Sequence, residues 1–86
     1  MKKKIKKQIK EINDTFGVNH RVSEYPDGKL FILNDDSRVL IALYAETLSM
    51  CADFESFKIL NNSLKIKLLK AAVEYLERTE NERDAK

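Results

Sequence analysis

Tyr25-Pro26-Asp27-Gly28-Lys29 is the stretch of sequence that decides the fold. It holds the only proline and one of the two glycines in the 86-residue chain. Proline fixes φ at the second position of a tight turn, and glycine supplies the positive φ that closes it. The flanking segments Val18–Tyr25 and Leu30–Leu33 are rich in β-branched, aromatic and aliphatic residues. This combination predicts a β-hairpin.

A third strand follows the hairpin. Asn34–Ser37 is a second turn signal, because Asn, Asp and Ser side chains bond to nearby backbone groups. Leu30–Leu33 is apolar on both faces, which is typical of a central strand. In Arg38–Tyr44, one set of alternating positions holds Val39, Ile41 and Leu43 and the other holds Leu40, Ala42 and Tyr44, which predicts a third strand. The sequence therefore predicts an antiparallel, three-stranded meander.

Both ends of the chain predict helices. Near the N-terminus a narrow apolar stripe precedes Gly17, a typical helix-ending residue, and consists of Ile5, Ile9, Ile12 and Phe16. Near the C-terminus a wider apolar stripe at helical spacing consists of Leu64, Leu68, Leu69, Ala72, Val73, Tyr75 and Leu76. Asn62 or Ser63 is the expected cap of this last helix. Between sheet and helix, Asp53 is expected to cap a short helix ending near Leu60.

The predicted fold is α+β, one domain over residues 1–86 in the order α-β-β-β-α-α. Helices on one face of a small antiparallel sheet satisfy the layer rule for domains. Residues 1–3 and 81–86 are expected to fray. The other sheet face carries Arg21, Phe31 or Leu33, and Leu40 or Tyr44. Residues 45–60, a second copy of the chain or a partner must cover it.

Charge is distributed unevenly, although the formal net charge is only +2. Residues 1–12 and 58–73 are basic, whereas residues 13–57 and 74–86 are acidic. The single Cys51 cannot form an intramolecular disulfide, and no signal peptide is recognisable, which favours the cytoplasm. No apolar run approaches the roughly 20 residues that span a bilayer, so no membrane contact is expected.

No pattern indicates catalysis or cofactor binding. His20 is the only histidine, and its sequence neighbours offer neither a nucleophile nor an orienting carboxylate. Cys51 lacks cationic neighbours and is better explained as a small buried residue. Asp35-Asp36 fits turn chemistry rather than a calcium loop, and no phosphate-binding glycine motif is present. We predict a non-enzyme with no cofactor, no metal and no small-molecule substrate.

The last third of the chain resembles small phage and prophage proteins of unknown function from low-GC Gram-positive bacteria. The resemblance is carried by Asp53–Lys58, Leu68-Leu69, Ala72–Thr79 and Glu82-Arg83, although no proline follows Thr79. It implies a phage accessory origin and assigns no functional residues.

Two functional hypotheses follow. In the first, the chain binds another protein or a second copy of itself, through the uncovered sheet face with its aromatic residues Tyr25, Phe31 and Tyr44. In the second, lysines of the first and last helices bind nucleic acid; these are Lys3, Lys6, Lys7, Lys10, Lys65, Lys67 and Lys70. The helix–three strands–helix order also resembles the double-stranded-RNA-binding domain, where basic residues opening the second helix contact phosphates.

Overall fold

The computed structural model describes the backbone of residues 2–84 and the side chains of residues 4–78. The helices are α1 (Lys2–Phe16), α2 (Glu55–Lys58) and α3 (Asn62–Asp84). The strands are β1 (Arg21–Glu24), β2 (Lys29–Leu33), β3 (Val39–Tyr44) and β4 (Ser49–Cys51). The predicted α+β class is confirmed. The expected fraying of residues 1–3 and 81–86 stays a prediction.

The sheet has four strands in the order β1-β2-β3-β4, each antiparallel to its neighbour. The predicted order with three strands was therefore wrong, because residues 49–51 add a fourth. Ser49 pairs with Tyr44 and Cys51 pairs with Ala42, so β4 extends the meander beyond β3. The order of elements is α-β-β-β-β-α-α.

The predicted hairpin connects β1 and β2. Tyr25 N donates to Lys29 O at 3.0 Å, and Gly28 N donates to Tyr25 O at 3.3 Å. Gly28 has φ of +86°, a conformation that residues with a Cβ rarely adopt. The glycine is therefore what allows this turn to close between the two strands.

The turn between β2 and β3 depends on Asn34. Its side-chain oxygen accepts hydrogen bonds from the backbone N–H of Asp36 at 2.9 Å and of Arg38 at 3.0 Å. Ser37 adopts a positive φ of 65° within the same turn. The predicted side-chain-to-backbone turn chemistry is confirmed.

The helix ends differ in detail from the prediction. Gly17 ends α1 with φ of +68°, as expected. The cap of α3 is Asn61, whose side-chain oxygen accepts from Leu64 N at 2.8 Å, rather than Asn62 or Ser63. Asp53 does not cap α2, because its carboxylate pairs with Lys58 at 2.8 Å and the N-cap position is Phe54.

The core lies between one face of the sheet and the helices. Sheet residues Leu30 and Ile32 pair with Leu43 and Ile41, and all four side chains are fully buried. The helices complete this core with Ile5, Ile9 and Ile12 of α1, Phe57 of α2, and Leu64, Leu68, Ala71, Ala72 and Tyr75 of α3. Each helix therefore packs on the same sheet face, and within residues 2–84 no helix covers the opposite face.

Candidate functional site

The three predicted aromatic residues lie together on the sheet face that the helices leave uncovered. Phe31 pairs with Ala42 and Lys29 pairs with Tyr44, so Phe31 and Tyr44 are diagonal neighbours on one face. The rings of Tyr25 and Phe31 are 5.1 Å apart between centroids and tilted by 55°. Tyr25 is 42% exposed.

The alternation along β2 separates this face from the core. Leu30 and Ile32 point to the core and are fully buried. Phe31 and Leu33, the alternate residues of the strand, are only partly buried and lie outside the core cluster. Ala42 is buried between its cross-strand neighbours Phe31 and Cys51. We call this surface the open sheet face and define it as Tyr25, Phe31, Leu33, Ala42, Tyr44 and Cys51.

The register also resolves which residues share this face. Leu33 pairs with Val39 rather than with Leu40, because β3 carries one extra residue at this point. Leu40 is fully buried and belongs to the core cluster, so Tyr44 and not Leu40 lies on the open sheet face. The sequence left this choice open, because a bulge has no signal in the alternation of apolar residues.

Polar groups border the open sheet face. Lys29 pairs with Asp27 at 3.3 Å beside the hairpin turn, and Arg21 donates to the Ser37 hydroxyl at the opposite end of β2. These side chains are exposed. Ser23 lies opposite Phe31 and Ser49 lies opposite Tyr44, so the face combines apolar and polar side chains, as protein-binding surfaces usually do.

His20 lies away from this face, at the junction of α1 and β1. The amide of Asn13 binds both backbone groups of His20: Nδ2 donates to His20 O at 2.8 Å, and His20 N donates to Oδ1 at 2.9 Å. The ring is 5% exposed, and its Nδ1 has no hydrogen-bond partner among the described residues. Burial lowers the pKa of His20 below its usual value, and the nearby Asp35 carboxylate opposes this shift. Burial therefore favours the neutral form of the ring.

We expect acid to destabilise the fold through His20. Because the folded-state pKa is lowered, the stabilisation is present above the unfolded-state value of about 6.5 and is lost as pH falls through the folded pKa. Chemical denaturation between about pH 7.5 and pH 5 should show falling stability in the wild type. His20→Leu should flatten this dependence, and an unchanged slope would contradict it.

His20 and Cys51 lie at opposite edges of the sheet. His20 precedes β1 and Cys51 lies in β4, so three inter-strand spacings of about 4.8 Å separate these edges, about 14 Å in total. Among the described residues no group of three or more His, Cys, Asp and Glu side chains is placed to hold a metal ion. The fold does not bring His20 and Cys51 together as a catalytic pair.

Two of the predicted lysines of α1 lie beside β1. Lys6 and Lys10 line a shallow groove between α1 and β1, where Lys6 also pairs with Glu24 at 2.7 Å. Lys7 is exposed. The side chain of Lys3 lies outside the described residues.

The lysines of α3 lie elsewhere. Lys67 and Lys70 line a groove between α1 and α3 together with the carboxylates of Glu11 and Glu74. Lys65 Nζ lies 6.0 Å from the centroid of the Phe57 ring, which belongs to α2. Carboxylates therefore interrupt the basic surface, and nucleic-acid binding through these lysines stays a prediction.

The outward face of α3 was not predicted. The predicted apolar stripe includes Val73, yet Val73 is 42% exposed, and Ile66 on the same helix is 58% exposed. At 100° per residue both lie nearly opposite Leu68, which was a signal already present in the sequence. The wide apolar stripe is thus two stripes, one facing the core and one facing outward.

No helix in the described part of the chain combines the length and apolar character needed to cross a membrane. Comparison of the chain with protein-family models, curated proteins and solved structures gives no match.

Proposed function

We propose that this chain is a non-enzymatic accessory protein of phage or prophage origin that acts by binding another protein through the open sheet face. The observation that carries the proposal is the position of Tyr25, Phe31 and Tyr44. All three lie on the sheet face that is opposite the described helices.

The composition of this face supports the proposal. In an antiparallel sheet covered on one side only, the other side normally carries polar residues. Here β2 presents Phe31 and Leu33 beside a single lysine, Lys29. Tyr25 is exposed, and Phe31, Leu33 and Tyr44 are partly exposed. A partner that covered them would remove this apolar surface from water.

The open sheet face offers two aromatic rings for contact with a partner. Ala42 lies directly opposite Phe31 and is almost fully buried, so the partly exposed rings of Phe31 and Tyr44 form the surface around it. Aromatic residues are enriched among those that contribute most to binding energy at protein interfaces.

Alanine substitution tests the site. We expect Phe31→Ala and Tyr44→Ala each to weaken partner binding about tenfold or more, because truncating such an aromatic residue commonly costs about 2 kcal/mol. Tagged wild-type and variant proteins would be compared in affinity capture from nuclease-treated lysate of the encoding organism. A protein captured by the wild type should be lost from the double variant.

Asp14→Ala is the matched control, because Asp14 is exposed on α1. It should retain the captured protein. Thermal melts of all variants distinguish lost binding from lost folding. If both aromatic variants unfold, Phe31 and Tyr44 belong to the core and the proposed site is wrong; if both fold and still capture the same protein, the partner binds elsewhere.

A further inference from the structure

The outward face of α3 carries an apolar stripe that contributes little to the core. Ile66, Leu69, Val73 and Leu76 recur at spacings of three, four and three residues, the pattern of a helix–helix seam. Ile66 and Val73 are 58% and 42% exposed, and Leu69 and Leu76 are partly buried at the margin of the core. A shallow groove runs along this face and is bordered by Lys70, Glu74 and Glu77.

The charges of α3 are arranged against its own dipole. Its first half, residues 62–73, has three lysines and no acidic residue, whereas residues 74–84 have five acidic residues and two arginines. A helix dipole favours acidic residues at the N-terminus and basic residues at the C-terminus. This helix has the reverse arrangement, so in isolation the charges and the dipole oppose each other.

A second α3 running in the opposite direction removes this conflict. In an antiparallel pair the basic half of each helix lies beside the acidic half of the other, and the two dipoles are opposed. Lys70 and Glu77 are seven residues apart, so they lie on the same flank of the stripe and about 10 Å apart along the axis. Each Lys70 then faces the Glu77 of the other copy.

We propose that the chain forms a two-fold symmetric dimer through the outward face of α3, packed antiparallel against α3 of a second copy. A two-fold contact requires a surface that is complementary to itself, and the Ile66–Glu77 segment satisfies this requirement in both apolar pattern and charge. Val73 lies beside the two-fold axis. The open sheet face stays accessible in this dimer, so the two surfaces serve different partners.

Sedimentation equilibrium over the micromolar range tests the dimer. The wild type should show a reversible monomer–dimer equilibrium. Val73→Arg should be monomeric, because it places two like charges beside the axis, and the 42% exposure of Val73 makes the change tolerable for folding. Lys70→Glu and Glu77→Lys should each weaken the dimer about tenfold or more by facing like charges. The double variant should restore the dimer, since the charges again match.

Disulfide trapping in a Cys51→Ser background tests the orientation. Val73→Cys should form a covalent dimer on mild oxidation. Ile66→Cys should not, because in the antiparallel pair the two positions are about 22 Å apart along the axis. Efficient linkage through Ile66→Cys would show a parallel pair and contradict the proposal.

Three further results would overturn the dimer: a wild type that stays monomeric at the highest concentrations, a dimer unaffected by Val73→Arg, or a charge-swapped double variant no better than the single variants. Phe31→Ala/Tyr44→Ala should leave the dimer unchanged. Loss of the dimer in that variant alone would assign self-association to the open sheet face instead.

Discussion

Leu68→Ala is expected to lower the free energy of unfolding by about 2–5 kcal/mol, the range measured when buried leucines are truncated. Leu68 is fully buried at the centre of the face of α3 that packs on the sheet. The substitution removes apolar contacts and leaves a cavity that the surrounding helices fill only partly. Because small domains have about 5–15 kcal/mol of stability in total, the variant should be at least partly unfolded at 37 °C.

Urea denaturation followed by circular dichroism measures this effect. Lys67→Ala is the matched control, because Lys67 is the adjacent residue on α3 and is exposed. It should change stability by less than about 0.5 kcal/mol. Equal losses in the two variants would show that α3 does not pack on the sheet through its Leu68 face.

Asn13→Ala is expected to cost about 2 kcal/mol, because it removes two hydrogen bonds worth about 1 kcal/mol each. The Asn13 side chain binds both the N–H and the C=O of His20, and its own backbone oxygen accepts from Gly17 N at 2.8 Å. It therefore ties the end of α1 to the start of β1. Without the amide, two backbone groups of a buried residue lose their partner.

The same denaturation experiment tests this prediction, with Asp14→Ala as control. Asp14 is the next residue on α1 and is exposed. The difference in free energy of unfolding between the two variants separates the contribution of the Asn13 amide from the effect of an alanine on helix propensity. A loss of less than about 0.5 kcal/mol in Asn13→Ala would mean that water replaces both bonds at little cost.

Much of the fold could be predicted because its signals are local. The Pro26–Gly28 turn, the terminal apolar stripes and Gly17 each specify their own conformation without distant contacts. Strand β4 has no such signal: Ser49, Met50 and Cys51 are too few to show alternation. The preceding turn contains neither glycine nor proline, and Leu48 there takes a positive φ of 52°. This strand exists because it pairs with β3, and such tertiary context is not readable from a short segment.

The candidate site was partly predictable for the same reason. The hairpin turn fixes the register of β1 and β2, so the proximity of Tyr25 and Phe31 follows from the sequence. The position of Tyr44 depends on the bulge beside Leu33, which moves Leu40 into the core. The outward stripe of α3 was readable in principle, since 100° per residue separates Val73 from Leu68.

Photo-cross-linking from the open sheet face tests the central claim most directly. Tyr44 would be replaced by the photoreactive amino acid p-benzoylphenylalanine, which keeps an aromatic ring at this position, and Asp14 would be replaced in a parallel preparation. After irradiation in nuclease-treated lysate, the position 44 preparation should give one adduct with a different protein, and the position 14 preparation should not. No adduct from position 44, or the same adduct from position 14, would contradict binding through this face.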